Sequence, residues 1–118
     1  MIAGHVNNLE AIIPLEIKDG NNGRQLSAII DTGYNGHHTL SPTIIESLKL
    51  IAAGELRGML ADGTIVSMNT YIAEILWMNE LRKVVVTATE GGPLVGMALL
   101  EGNRVTIDVA EGGQVIIE

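Results

Sequence analysis

The residues of this chain best suited to chemistry are Ile29-Ile30-Asp31-Thr32-Gly33. Two β-prone residues drive a strand inward, and an acid follows where the strand gives way to a loop. Burying an unpaired carboxylate is costly, so an acid in that place needs partners or a task. Thr32 supplies a hydroxyl that can donate and accept hydrogen bonds behind it. Gly33 lets another backbone, or a bound molecule, come close. Taken alone, Asp-Thr-Gly is also an ordinary turn after a strand. The order of the surrounding elements separates the two readings.

Those elements begin with Leu9, Ala11, Ile13, Leu15 and Ile17, which alternate with mostly polar neighbours at the period of a half-buried strand. Gly20-Asn21-Asn22-Gly23 reads as a turn, and Arg24–Ile30 as the returning strand of a hairpin that ends directly before Asp31. Residues 32–38 are loop-like. Ser41 and Pro42 open a helix in which Ile44, Leu48 and Ile51 share a face, with Ile45 beside them and Gly54 as stop or restart. Ala61-Asp62-Gly63 carries the Asp-Gly hairpin signal between Leu56–Leu60 and Thr64–Trp77. A second tight turn at Met78-Asn79-Glu80 leads to a strand over Leu81–Thr89, broken by Gly91-Gly92-Pro93. Leu94-Val95-Gly96 then precedes a short helical stretch, Met97–Glu101. Val105, Ile107 and Val109 alternate again, and Glu111-Gly112-Gly113 turns the chain into Val115–Ile117. There is a weak internal echo: two hairpin-like units each end in an apolar pair, a glycine-containing turn and a short helix.

The totals narrow the function classes. A length of 118 residues predicts one domain spanning 1–118, able to bury roughly two-thirds of the surface its unfolded form exposes. The core must be aliphatic, because there is one Trp, two Tyr and no Phe. A net charge of -7 with no Lys/Arg cluster argues against nucleic acid. No apolar run approaches a membrane span and no signal peptide is visible, so a cytoplasmic location is the default expectation. The absence of cysteine removes disulfides, thiolate metal sites and cysteine nucleophiles.

Asp31-Thr32-Gly33 after an apolar strand, a hairpin over Leu60–Thr64 in the middle, and Leu94-Val95-Gly96 before a late short helix together resemble the retroviral-type aspartic peptidases, or retropepsins, and their bacterial relatives of similar size. The likeness runs from about Leu9 to Ile117. It implies a mostly β, closed acid-protease barrel with one or two short helices, one lobe per chain. It further implies an aspartic endopeptidase in which Asp31 is the catalytic carboxylate, Thr32 and Gly33 support it, and a homodimer supplies the second Asp31. Peptide or protein is the implied substrate, held in part by Tyr34 and by the flap residues Ala61, Asp62 and Gly63; no cofactor or metal is called for. Terminal segments pair between subunits in retroviral members, a role open to Val115-Ile116-Ile117. The sequence departs from the family in four places: Tyr34 replaces the frequent Ala, Asn35 and Gly36 stand where acids are common, Met97 replaces a bracing Arg, and the flap has one Gly.

Plainer readings stand beside these. The same fold can serve as a catalytically inactive dimerisation or peptide-binding module. Tyr34 can line a pocket or simply cover its loop. His37-His38 are adjacent and point to opposite sides of an extended segment, so a solvated loop is expected rather than a metal site. Asp62 is most simply a turn former, Trp77 a packing residue, and Arg104 and Asp108 solvated charges on the outward face of a strand. Gly91-Gly92 lacks the Gly-Lys-Ser/Thr of a phosphate loop, and no Ser lies in a Gly-x-Ser-x-Gly context.

Overall fold

The computed structural model describes residues 1–118. In chain order the strands are β1 (Ile2–Asn7), β2 (Glu10–Asp19), β3 (Asn22–Ile30) and β4 (His38–Leu40), then helix α1 (Pro42–Leu48). Next come β5 (Ile51–Met59), β6 (Ile65–Trp77), β7 (Glu80–Ala88) and β8 (Leu94–Val95), then helix α2 (Met97–Leu100) and the closing strands β9 (Val105–Ile107) and β10 (Gln114–Ile117). The ten strands form one sheet in the order β5-β6-β7-β4-β8-β3-β2-β1-β10-β9. A further pairing of β6 with β2, at Ile17↔Ile75 and Glu16↔Leu76, closes the middle strands into a ring. The result is the mostly β domain with two short helices that the sequence pattern implies, closed as the family resemblance implies.

The ring is closed around aliphatic side chains. Ile13, Leu15 and Ile17 alternate inward from β2 and meet Ala73, Ile75 and Trp77 from β6 and Val84 and Val86 from β7. Ile13, Ile17, Ile75 and Val86 are fully buried, and each such side chain contributes about 1.5–3 kcal/mol by leaving water. Trp77 is buried as expected, and its indole N–H donates to Asn103 Oδ1 at 3.2 Å. The internal echo becomes a physical contact: the end of β3 lies parallel to β8, with Ile29↔Leu94 and Ile30↔Val95 in register.

Three expectations are corrected. The first strand does not include Leu9. Asn8 and Leu9 form a two-residue turn with φ of 52 and 62, which leaves Leu9 84% exposed and adds a strand, β1, ahead of the predicted one. The helix stops before Ile51, because Lys49 takes a left-handed conformation (φ 54) and its N–H caps Glu46 and Ile45 carbonyls. Ile51 therefore opens β5 and is exposed, while Gly54, at φ 115, sits at a β-bulge rather than a helix stop. Finally, Val115–Ile117 is no free terminal edge. β10 pairs with β1 on one side (Gly4↔Val115, Ala3↔Ile116, Ile2↔Ile117) and with β9 on the other (Val115↔Ile107, Ile116↔Thr106, Ile117↔Val105). Both rows of its backbone groups are used within the chain.

Candidate active site

β3 carries Asp31 to the end of the strand, and β8 holds it there. The Ile29 N–H donates to Pro93 O and the Asp31 N–H to Val95 O, both at 2.9 Å, so the backbone just before the loop is fixed from the neighbouring strand. The Asp31 side chain then shapes its own loop. Oδ1 accepts the Gly33 N–H at 2.9 Å, and the Asp31 carbonyl accepts the Tyr34 N–H at 3.2 Å. Asp31 is half-buried, Thr32 and Gly33 are exposed, and no cation lies in ion-pair contact with the carboxylate.

The loop that follows is sewn to the start of α2. Its carbonyls satisfy the orphan donors of the helix: Met97 N–H donates to Tyr34 O at 2.8 Å, Ala98 N–H to Gly36 O at 3.1 Å and Gly96 N–H to His37 O at 3.0 Å. The Tyr34 ring folds over Gly36 and Gly96, and its hydroxyl lies 3.0 Å from Thr87 Oγ1 on β7. A Cβ at Gly96 would run into the Gly36 carbonyl and the Tyr34 ring, so this approach is open to glycine alone. Tyr34 thus covers the loop.

Two successive side chains of β4 complete the frame. His38 Nδ1 donates to Leu94 O at 2.7 Å, and Thr39 Oγ1 accepts the Leu94 N–H at 2.9 Å. Because a carbonyl can only accept, Nδ1 carries the proton and Nε2 is a bare acceptor, buried without a partner. His38 is fully buried, which corrects the expectation of a solvated His37-His38 pair: the alternation of an extended chain sends one ring into the core. Burial pushes its pKa below 6.5, with the Leu94 bond opposing. His37, at the other side, is also lowered, by burial and then by the Arg82 charge, with Glu101 opposing. No group of three or more His, Asp or Glu side chains gathers in metal-binding range.

Arg82 is the residue that sequence reasoning passed over. From β7 its guanidinium donates to Leu99 O at 3.1 Å and Ala98 O at 3.3 Å, taking up carbonyls of α2. Met97, in the place of the bracing Arg seen in retropepsins, is 47% exposed instead. Nothing local in the sequence signals the Arg82 contact, which joins residues 16 and 17 positions apart.

Ala61, Asp62 and Gly63 lie at the tip of the β5–β6 hairpin and bond within it. Asp62 Oδ1 accepts the Thr64 N–H at 2.8 Å, Gly63 N–H donates to Leu60 O at 2.9 Å, and Gly63 has φ 87. Bonding to Thr64 draws the Asp62 pKa below its ordinary value. Along this hairpin Leu56, Met59, Leu60 and Ile65 are all exposed and form an apolar surface. Beside Thr32 a cleft of about 360 Å³ opens, lined among others by Met97, Leu100 and Val105.

No model of a known protein family matches the sequence, and no curated protein matches it. Among solved structures, the chain is similar to a retropepsin-like aspartic protease from Rickettsia conorii, with a TM-score of 0.59 and 14% identity over 99% of this chain and 89% of that one. At that identity the likeness establishes a retropepsin-like fold and leaves the chemistry to be argued from the residues. No helix of the chain is long and apolar enough to cross a membrane.

Proposed function

We propose that this chain is an aspartic endopeptidase, akin to the bacterial retropepsin-like peptidases, that works as a homodimer with Asp31 of each subunit at the two-fold axis. The observation that carries the reading is Asp31 itself. It is a half-buried carboxylate at a strand end, braced by the Gly33 N–H and without a cation in ion-pair contact. Such an acid is half of a pair, and a two-fold axis supplies the other half from the same residues.

Two carboxyls held close cannot both ionise comfortably, so they share one proton and titrate as a unit. The ionised member takes a proton from a bound water while the protonated member passes its own proton to the scissile carbonyl oxygen. Water oxygen bonds to the carbonyl carbon, giving a tetrahedral diol. Proton transfer to the amide nitrogen then breaks the C–N bond, releasing a carboxylic acid and an amine and restoring the shared proton. No covalent enzyme intermediate forms. Thr32 supports the loop against its partner, Gly33 admits the substrate backbone, and Tyr34 acts by fixing the loop. The hairpin tipped by Ala61, Asp62 and Gly63 closes over an extended peptide and excludes water. Residues 1–118 act as a single lobe.

The test is cleavage of a mixed peptide library across roughly pH 4 to 7, read by mass spectrometry. Cuts made by the natural protein and absent with Asp31→Asn support the reading. A dimeric sample that makes no cuts assigns the fold to a non-catalytic peptide-binding or dimerisation role.

A further inference from the structure

The sheet ends at β9, whose sole neighbour is β10. The ladder between them determines what its free edge offers. Arg104 and Glu118 exchange both hydrogen bonds, at 2.8 and 3.0 Å, and the Asp108 N–H donates to Gln114 O at 2.9 Å. Antiparallel ladders alternate, so Arg104, Thr106 and Asp108 direct their backbone groups at β10, while Val105 and Ile107 direct theirs outward. An edge of this kind is a template for another strand, and edges not meant for pairing are blunted by shortness, by charge, by Pro or by a bulge. β9 is short, three residues between Arg104 and Asp108, but it carries no Lys, Pro or bulge and its two flanking charges are opposite in sign. The opposite edge, β5, carries a bulge between Ala52 and Gly54.

The side chains match a particular partner. Arg104, Thr106 and Asp108 share the exposed face, and Val105 and Ile107 pack half-buried against the core. If a second β9 runs antiparallel about a two-fold centred on Thr106, Val105 faces the partner's Ile107 and Ile107 the partner's Val105. These are the residues with outward backbone groups, so each pair exchanges both hydrogen bonds and no edge group is left over. In the same register Arg104 faces the partner's Asp108 and Asp108 the partner's Arg104, in the closer, non-hydrogen-bonded positions where opposite charges stabilise a pair. Polarity, register and charge all point to the same arrangement.

We infer that the two subunits join through β9, edge to edge about Thr106, making one sheet continuous across the dimer. This rests on the homodimer reading above and deepens it. With β10 paired on both sides within the chain, it presents no free edge to a partner. The β9 edge also has the right neighbour. Val105 lines the same cleft as Thr32 and the exposed Met97, so a copy added at β9 lies against the Asp31-Thr32-Gly33 loop and draws the two Asp31 carboxylates toward the axis.

Charge exchange in the full chain tests this, with self-association measured by sedimentation equilibrium and folding checked by circular dichroism. Arg104→Asp and Asp108→Arg each place like charges opposite one another and weaken self-association about tenfold. Mixing the two variants restores association as a heterodimer, because every facing pair is then opposite in sign. The double variant Arg104→Asp/Asp108→Arg self-associates like the natural chain. Single variants that dimerise as tightly as the natural chain, or a mixture that does not recover, overturn the β9 assignment while leaving the homodimer intact. A natural chain that stays monomeric at high concentration removes the homodimer reading and this inference with it.

Discussion

His38 Nδ1 donates to the Leu94 carbonyl at 2.7 Å, and the opposite ring nitrogen is buried with no partner. This one bond joins the strand after the Asp31 loop to the strand before α2, and it sets how acid acts on the frame of the site. Burial holds the His38 pKa below 6.5, so between that lowered value and 6.5 the unfolded chain binds a proton that the folded chain refuses. Stability therefore falls as pH drops below 6.5, by up to about 1.4 kcal/mol per pH unit inside the window, and the loss levels off below the folded value. His37 adds in the same direction, more weakly because it is less buried. The groups packed on His38 from β7 and β8, Val86 and Val95, are uncharged and offer no counter-charge. Urea unfolding from pH 8 to 5 checks this: His38→Gln, which keeps a donor for Leu94, flattens the acid slope, whereas an unchanged slope assigns it to other groups.

Gly96 is where the loop and α2 come closest. Gly96→Ala must displace the Gly36 carbonyl and the Tyr34 ring, which are held by the bonds at Met97, Ala98 and Thr87. Backbone cannot yield as a flexible side chain does, so the expected cost is about 2 kcal/mol or more. The midpoint of urea denaturation reads it, and any peptidase activity falls further than stability because the Asp31 loop itself is moved.

Arg82→Met removes two charge-assisted bonds to α2, at an expected cost of about 1.5–3 kcal/mol. It also removes the positive charge that helps hold the His37 pKa down. Nuclear magnetic resonance titration of His37 should move upward in this variant, and Arg82→Lys should keep that pKa low while still losing the forked contact.

Much of the site is legible in the sequence because its signals are local. An apolar pair that runs into Asp-Thr-Gly marks a strand end, and Asp62-Gly63 and Met78-Asn79 mark hairpins through Gly63 and Asn79, residue types that tolerate positive φ. The features that are not legible depend on partners distant in the chain. β1 gives a weak strand signal because one of its inward positions (Ile2, Gly4, Val6) is a glycine and its outward Ala3 is apolar, so an alternation present in burial is blurred in the residue types. Ile51 fits a helical face by spacing and becomes a strand residue because Lys49 turns left-handed. The edge occupancy of Val115–Ile117 and the side-chain bonds of His38, Thr39 and Arg82 are set by register across the closed sheet, which no window of sequence contains.

The central claim is that one reaction uses Asp31 from two chains. Natural protein and Asp31→Asn protein, mixed in varying proportion and allowed to exchange subunits, measure it directly through the rate of peptide cleavage. A shared dyad predicts that activity follows the square of the natural fraction, so that an equal mixture retains about one quarter of the rate. Activity that falls in simple proportion to the natural fraction would mean that each chain cuts on its own, and would contradict the two-carboxylate site.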